Sequence, residues 1–167
     1  IGLAIKSYEE SSDWYLGDSA NALSNKFSLK AADLYCDETV NQFSKASQIY
    51  ERIAKESVNN SLAKWSLKEY FLKAVLCRLA EKNDYASGEA LISRFVTWDP
   101  SFQQTREFEF CKELILAVKD GEVDGISASS RKFDQFQRLD SLKVKLLNLI
   151  KTNVQAGGSF DQIEEDF

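Results

Sequence analysis

Apolar residues recur along this chain at intervals of three and four, the spacing that gathers them on one side of an α-helix. The cleanest case is Leu139, Leu142, Leu146, Leu149 and Ile150, which form one stripe with lysines at other positions. No alternating run stands between turn signals, and one proline and seven glycines leave few places where a helix must break. The pattern predicts an all-α fold with helices over about 2–15, 18–35, 38–57, 61–81, 84–97, 100–119, 123–136 and 139–154. The links between them are short, so neighbours are expected to pack antiparallel.

Two boundaries have explicit chemistry. In "TWDPSF", Asp99 can cap a helix whose first position is Pro100, where no backbone donor is needed, and Gly121 after "AVKD" supplies the matching stop. In "LAKWSLKEYFLKAVLCRLA", the residues Trp65, Leu67, Phe71, Leu72, Val75, Leu76 and Leu79 spread over more than one face, so this helix must be covered on several sides. A repeat agrees with such stacking. "AIKSYE" from Ala4 returns as "ASQIYE" from Ala46, 42 residues later, and more loosely as "ALISRF" from Ala90. A period near 40 with two helices per unit fits a tetratricopeptide-like helical-hairpin solenoid, its helices longer than the consensus of about 34 residues allows. The expected organisation is hairpins over 1–97, a C-terminal helical bundle as a cap over 98–154, and a flexible acidic tail over 155–167 with Gly157 and Gly158 as a tether.

Composition narrows the chemistry. With 44% hydrophobic and 28% charged residues the 167-residue chain has ordinary globular content, enough for one core. No apolar run reaches the roughly 18 residues of a membrane span and no signal-peptide layout opens the chain, so a cytoplasmic protein is expected. A start at Ile1 and a sequence without methionine suggest a piece of something longer. Cys36, Cys77 and Cys111 are odd in number and far apart, and there is no histidine, which argues against a disulfide framework and a zinc site. The cysteines read as core residues of a reducing compartment. The lack of histidine also removes the usual general base near neutral pH, and no phosphate loop or nucleophile elbow is present, so neither enzyme activity nor a cofactor is expected. Nucleic acid is not an expected partner, because the chain is acidic overall and has no reading motif.

Charge is uneven. Of the net −5, four negative charges sit in the last seven residues, on Asp161, Glu164, Glu165 and Asp166. The 42-residue offset also carries Lys26 onto Lys68, and Lys30 lies one helical turn beyond Lys26. A cationic ladder along one side of a curved array would suit an acidic, elongated partner. Ordinary solvated lysine explains the same pattern and stays open on periodicity alone.

"LSNKFSLKAADLY", "WSLKEYFLKAVLCRLA", "DPSFQQTREFEFCKELILAV" and "RKFDQFQRLD" together resemble, in order from about Ala4 to Val154, the C-terminal portion of the soluble NSF attachment proteins, the fungal alpha type especially. The resemblance implies an adaptor that binds assembled SNARE four-helix bundles, then recruits and stimulates the hexameric AAA ATPase NSF, which pulls the bundle apart. It implies peripheral membrane association only through N-terminal parts of the family that are missing from this sequence. Lys26, Lys30, Lys68 and Arg106 match basic residues that face the SNARE bundle. Asp120 matches the ATPase-facing acids, with Glu122 and Asp124 close by, though Leu116 and Lys119 stand where relatives carry acidic or polar groups. Glu164, Glu165 and Asp166 match the acidic terminus, and Phe167 stands where leucine is usual. Leu142 replaces the family's tryptophan after "RLD", and Phe133, Phe136 and Leu139 are expected as core. The competing reading is a general tetratricopeptide-like scaffold whose groove holds a peptide or protein.

Overall fold

Among the described residues of the computed structural model, which are 1–17, 21–61 and 63–165, eight α-helices are found and no strand. They are α1 Gly2–Gly17, α2 Asn21–Tyr35, α3 Phe43–Ser57, α4 Lys64–Ala80, α5 Tyr85–Trp98, α6 Arg106–Asp120, α7 Val123–Phe136 and α8 Ser141–Glu165. Each of the first five packs on its successor, α6 pairs with α7, and α8 closes against both α7 and α4. Polar contacts fix the register of the early hairpins. Tyr35 Oη donates to Glu9 Oε1 at 2.5 Å, Tyr50 Oη donates to Asp33, and Lys73 Nζ reaches Asp33 at 3.5 Å. Burial first, then the Glu9 carboxylate, pushes the Tyr35 hydroxyl up to about 12; burial and the Asp33 charge push Tyr50 higher, so both phenols stay donors. The repeated glutamates both act as acceptors between helices, Glu9 for Tyr35, and Glu51 for Arg78 at 3.4 Å and Arg94 at 2.9 Å.

Helix α4 is the hub, packed by α3, α5, α6 and α8. Leu67, Phe71, Leu72, Ala74, Val75, Leu76, Cys77, Leu79 and Ala80 are all buried, and together they occupy every side of the helix. Against it Phe71 stacks on Phe95 with ring centres 4.2 Å apart and meets the edge of Phe102 at 4.9 Å. Trp65, expected in this apolar set, lies outside it: it is 86% exposed on the first turn of α4, whereas Leu67 on the same turn is buried. The three cysteines are buried free thiols, and Cys36 and Cys77 touch at 3.5 Å.

The expected helix over 100–119 is two elements. Asp99 accepts from Ser101 N at 3.1 Å and opens a 3-10 turn, Pro100–Gln104; Thr105 is extended, and its Oγ1 accepts from Phe108 N at 3.2 Å to start α6. Two caps six residues apart divide the segment, and the step between them turns Phe102 into the core. Gly121 ends α6 at φ +70°, as its position after "AVKD" predicts. The loose third repeat, expected at Ala90, is in better register at Gly88, 42 residues after Ala46: both are buried, whereas Ala90 is exposed. A Cβ on Gly88 would come within 3.3 Å of Ile115, which explains the missing side chain. The apolar pattern predicts a last helix that stops at 154, with a tether beyond; the backbone of α8 is helical to Glu165. Two glycines cost the helix only about 1 kcal/mol each, and helix-forming residues stand on both sides.

Phe71→Ala should lower unfolding stability by about 3–5 kcal/mol, since it empties the contact between α4, α5 and the 3-10 turn. Urea denaturation followed by circular dichroism measures this directly.

Candidate functional site

Three of the four expected basic residues fall on alternate helices: Lys26 on α2, Lys68 on α4 and Arg106 on α6. Lys26, Lys68 and Arg106 all lie in the N-terminal halves of these three helices. Lys26 is exposed at the mouth of an open groove between α2, α3 and α4, which Leu29, Ile53, Glu56 and Tyr70 also line. It makes no ion pair among the described residues. Lys68 Nζ lies 3.8 Å from Glu107 Oε1, and Glu107 is only 2% exposed. Arg106 follows directly: it is exposed and sets its guanidinium 4.1 Å from the centre of the Phe136 ring. Lys30 faces another way, with its ammonium 5.5 Å over the Tyr8 ring on α1. The structure therefore brings Lys68 and Arg106 together through Glu107, leaves Lys26 beside the adjoining groove, and turns Lys30 toward α1.

The same end of α4 holds α8. Lys143 is nearly buried, with Nζ 2.5 Å from Glu69 and 3.0 Å from Asp140. Burial lowers the Lys143 ammonium, but the hydrogen bonds to both carboxylates outweigh it and hold the group above the ordinary lysine range. Burial likewise raises Asp140, and the Lys143 backbone N–H and ammonium overcome that to hold it below the usual carboxylate range. Neither Glu107 nor Lys143 stands out in the sequence as a site residue, although both are legible there. Glu107 falls in line with Phe110, Cys111 and Leu114, and Lys143 with Leu146, Leu147 and Ile150. A charge on an apolar stripe must find a partner inside. At the surface, Lys132 bridges Glu109 at 2.6 Å and Glu113 at 2.8 Å.

Asp120, Glu122 and Asp124 gather at the turn from α6 to α7. All three are exposed and none forms an ion pair among the described residues. Glu122 is the N-cap residue of α7 and Asp124 lies in its first turn, where the positive end of the helix dipole favours them. The neighbouring cation, Lys119, is drawn off to Glu89 at 3.6 Å. Glu164 and Glu165 belong to the end of α8, while Asp166 and Phe167 lie outside the described residues. Phe136, expected as core, is 48% exposed; it is the last residue of α7, covered by Arg106 and met at its edge by Phe133, which is itself buried against Phe110. Among the described residues no group of three or more histidine, cysteine, aspartate or glutamate side chains could hold a metal ion, and no helix is long and apolar enough to cross a membrane.

Helices packed each on the next and closed by α8 define an all-α, helical-hairpin fold. The sequence matches the family model of the soluble NSF attachment proteins, SNAP, over residues 1–155, and the chain belongs to that family. It is 57% identical over 163 residues to a protein of Komagataella phaffii named vesicular-fusion protein SEC17, covering 98% of this chain and 54% of that one. It is 42% identical to the alpha-soluble NSF attachment protein of Saccharomyces cerevisiae, over 91% of this chain and 51% of the relative, and 32% identical to the human protein of that name, over 93% and 51%. The chain spans about half the length of these relatives.

Lys68→Glu would set a second negative charge against the buried Glu107 and should lower stability by about 1–2 kcal/mol, while Lys26→Glu should leave the melting temperature unchanged. Calorimetry of the two variants separates them. Lys143 stabilises the fold fully below the ordinary lysine range and loses its effect only as pH climbs through its raised value; Asp140 contributes fully above the ordinary carboxylate range and loses its effect as pH falls through its lowered one. The stability gap between wild type and Lys143→Met should therefore be flat from about pH 5 to about pH 9 and shrink below about pH 4. Urea midpoints at each pH test this.

Proposed function

We propose that this chain is the part of a non-catalytic cytoplasmic adaptor, peripheral to membranes, that holds an assembled SNARE four-helix bundle against one flank and presents acidic groups to an NSF-type AAA ATPase. Family membership supports both roles. The observation that carries the reading is the disposition of charge: Lys26 and Arg106 are exposed near the starts of α2 and α6, and the acids beside the start of α4, Glu107 and Glu69, are occupied by Lys68 and Lys143. An elongated anionic rod meets this surface without repulsion. Lys30, turned toward Tyr8 on α1, would meet the bundle outside that flank. Asp120, Glu122 and Asp124 are the ATPase-facing acids, aided by Glu164, Glu165, Asp166 and Phe167 at the terminus. A peptide-holding scaffold would bind through the groove alone and would have no use for the carboxylates at the turn from α6 to α7.

Lys26→Glu with Lys68→Gln, which keeps the buried Glu107 free of a like charge, should weaken binding of the soluble SNARE bundle severalfold, because each exposed pair is worth about 0.2–1 kcal/mol. Asp120→Asn with Glu122→Gln and Asp124→Asn should spare that binding and reduce stimulation of the ATPase. Titration by fluorescence anisotropy and a coupled phosphate-release assay read the two effects. Unchanged affinity in the first variant refutes the basic flank, and unchanged stimulation in the second refutes the acidic turn.

A further inference from the structure

The fold distinguishes cysteines that look alike in the sequence. Cys36 opens the turn after α2, Cys77 lies in the last turn of α4, and the two stand 41 positions apart along the chain. Packing of that turn on the hub helix brings their sulfurs to 3.5 Å. Of the free thiols among the described residues these two are the ones in contact, while Cys111 is buried on α6. A cysteine used only to fill a core needs no second sulfur beside it.

The two sulfurs differ in access. Cys77 is fully buried, whereas Cys36 is 5% exposed and is followed closely by Glu38 and Thr39, which lie in solvent. The contact with Cys36, then burial, push the Cys77 thiol well above its usual range, and the Lys73 ammonium one turn earlier pulls the other way without overcoming them. Cys77 therefore stays protonated, and Cys36 is the sulfur placed to meet an oxidant from solvent.

We propose that Cys36 and Cys77 are a reversible redox pair, joined by a peroxide into a disulfide that staples the turn after α2 to the hub helix. Cys36 Sγ attacks one peroxide oxygen: the S–O bond forms as the O–O bond breaks, leaving a sulfenic acid and one water. Cys77 Sγ then attacks that sulfur; the S–S bond forms, the S–O bond breaks, and the hydroxyl leaves as a second water with the proton of Cys77. Two electrons pass from the sulfurs to the peroxide, and two equivalents of a small thiol return them. The sulfurs must close from 3.5 Å to about 2.05 Å. That movement falls on Cys36, which lies outside any helix, because Cys77 is fixed in a helix covered on all sides.

The test adds hydrogen peroxide to the full chain, at a dose and time that consume free glutathione in a parallel tube. Wild type should lose two of its three thiols by titration in urea and yield a cross-linked peptide that joins Cys36 to Cys77 and has lost two hydrogens by mass. It should melt roughly 5–10 °C higher, with full reversal by dithiothreitol. Cys111→Ala should behave likewise and end with no free thiol, and Cys36→Ala should keep both of its thiols and show no rise. The cross-link is read in wild type, so a variant that folds poorly does not blunt the result. Three surviving thiols in wild type overturn the pair, as does a sulfinic acid on Cys36 without the cross-link or a bond between two chains. A linked product that melts no higher overturns the staple.

Discussion

Helix α4 has no side that faces water over most of its length, and this one constraint arranges the rest of the molecule. Nine of its residues are buried, from Leu67 to Ala80, and leaving any of the large ones exposed would forgo about 1.5–3 kcal/mol each. Four helices are therefore drawn onto it: α3 from the preceding turns of the array, α5 and α6 from those that follow, and α8 returning from the end of the chain. Only its start shows side chains to solvent: Lys64 and Trp65 are exposed and Lys68 is half-exposed beside Glu107, while Leu67 between them is already buried.

The same end of α4 ties two surfaces to one support. Lys68 reaches the buried Glu107 at the start of α6, and its neighbour Glu69 holds the buried Lys143 near the start of α8. Buried ion pairs add little net stability, yet a broken one leaves a charge in a medium that solvates it poorly, so each pair fixes which helix meets which. Lys68 and Glu69 are adjacent in sequence and point to different partners, one toward the basic flank and one toward the helix that carries the acidic terminus. Helices α6 and α7, which carry the acidic turn between them, pack on each other at their far ends through Phe110 and Phe133, which stack at 4.7 Å. The two charged surfaces are held by one core instead of being joined by a linker.

Side-chain periodicity is enough to read the helices, the caps at Asp99 and Gly121, and the many-sided burial of the segment after Trp65. These are local properties: a helix repeats every 3.6 residues whatever surrounds it, and a left-handed stop needs glycine wherever it falls. Periodicity fails where a neighbour decides. Thr105 divides a segment that looks continuous, because its extended backbone allows Phe102 to turn inward onto Phe71. Phe136 lies in the apolar stripe of α7 but is left half bare, with Arg106 across its face and the edge of Phe133 beside it. Glu107 and Lys143 are visible as charges on apolar stripes, yet only the approach of α4 identifies their partners.

The sequence by itself determined that the chain is helical, roughly where each helix stops, that a 42-residue unit is repeated, and that Lys26 and Lys68 are equivalent positions in it. It could not determine that those equivalents have different surroundings, one open to a groove and the other poised over a buried carboxylate. Tertiary structure decided this, because the repeat ends and the helices that follow Lys68 are not those that follow Lys26. A side chain's intrinsic chemistry is fixed by its own residue type, whereas its field and its access to solvent are set by residues far along the chain.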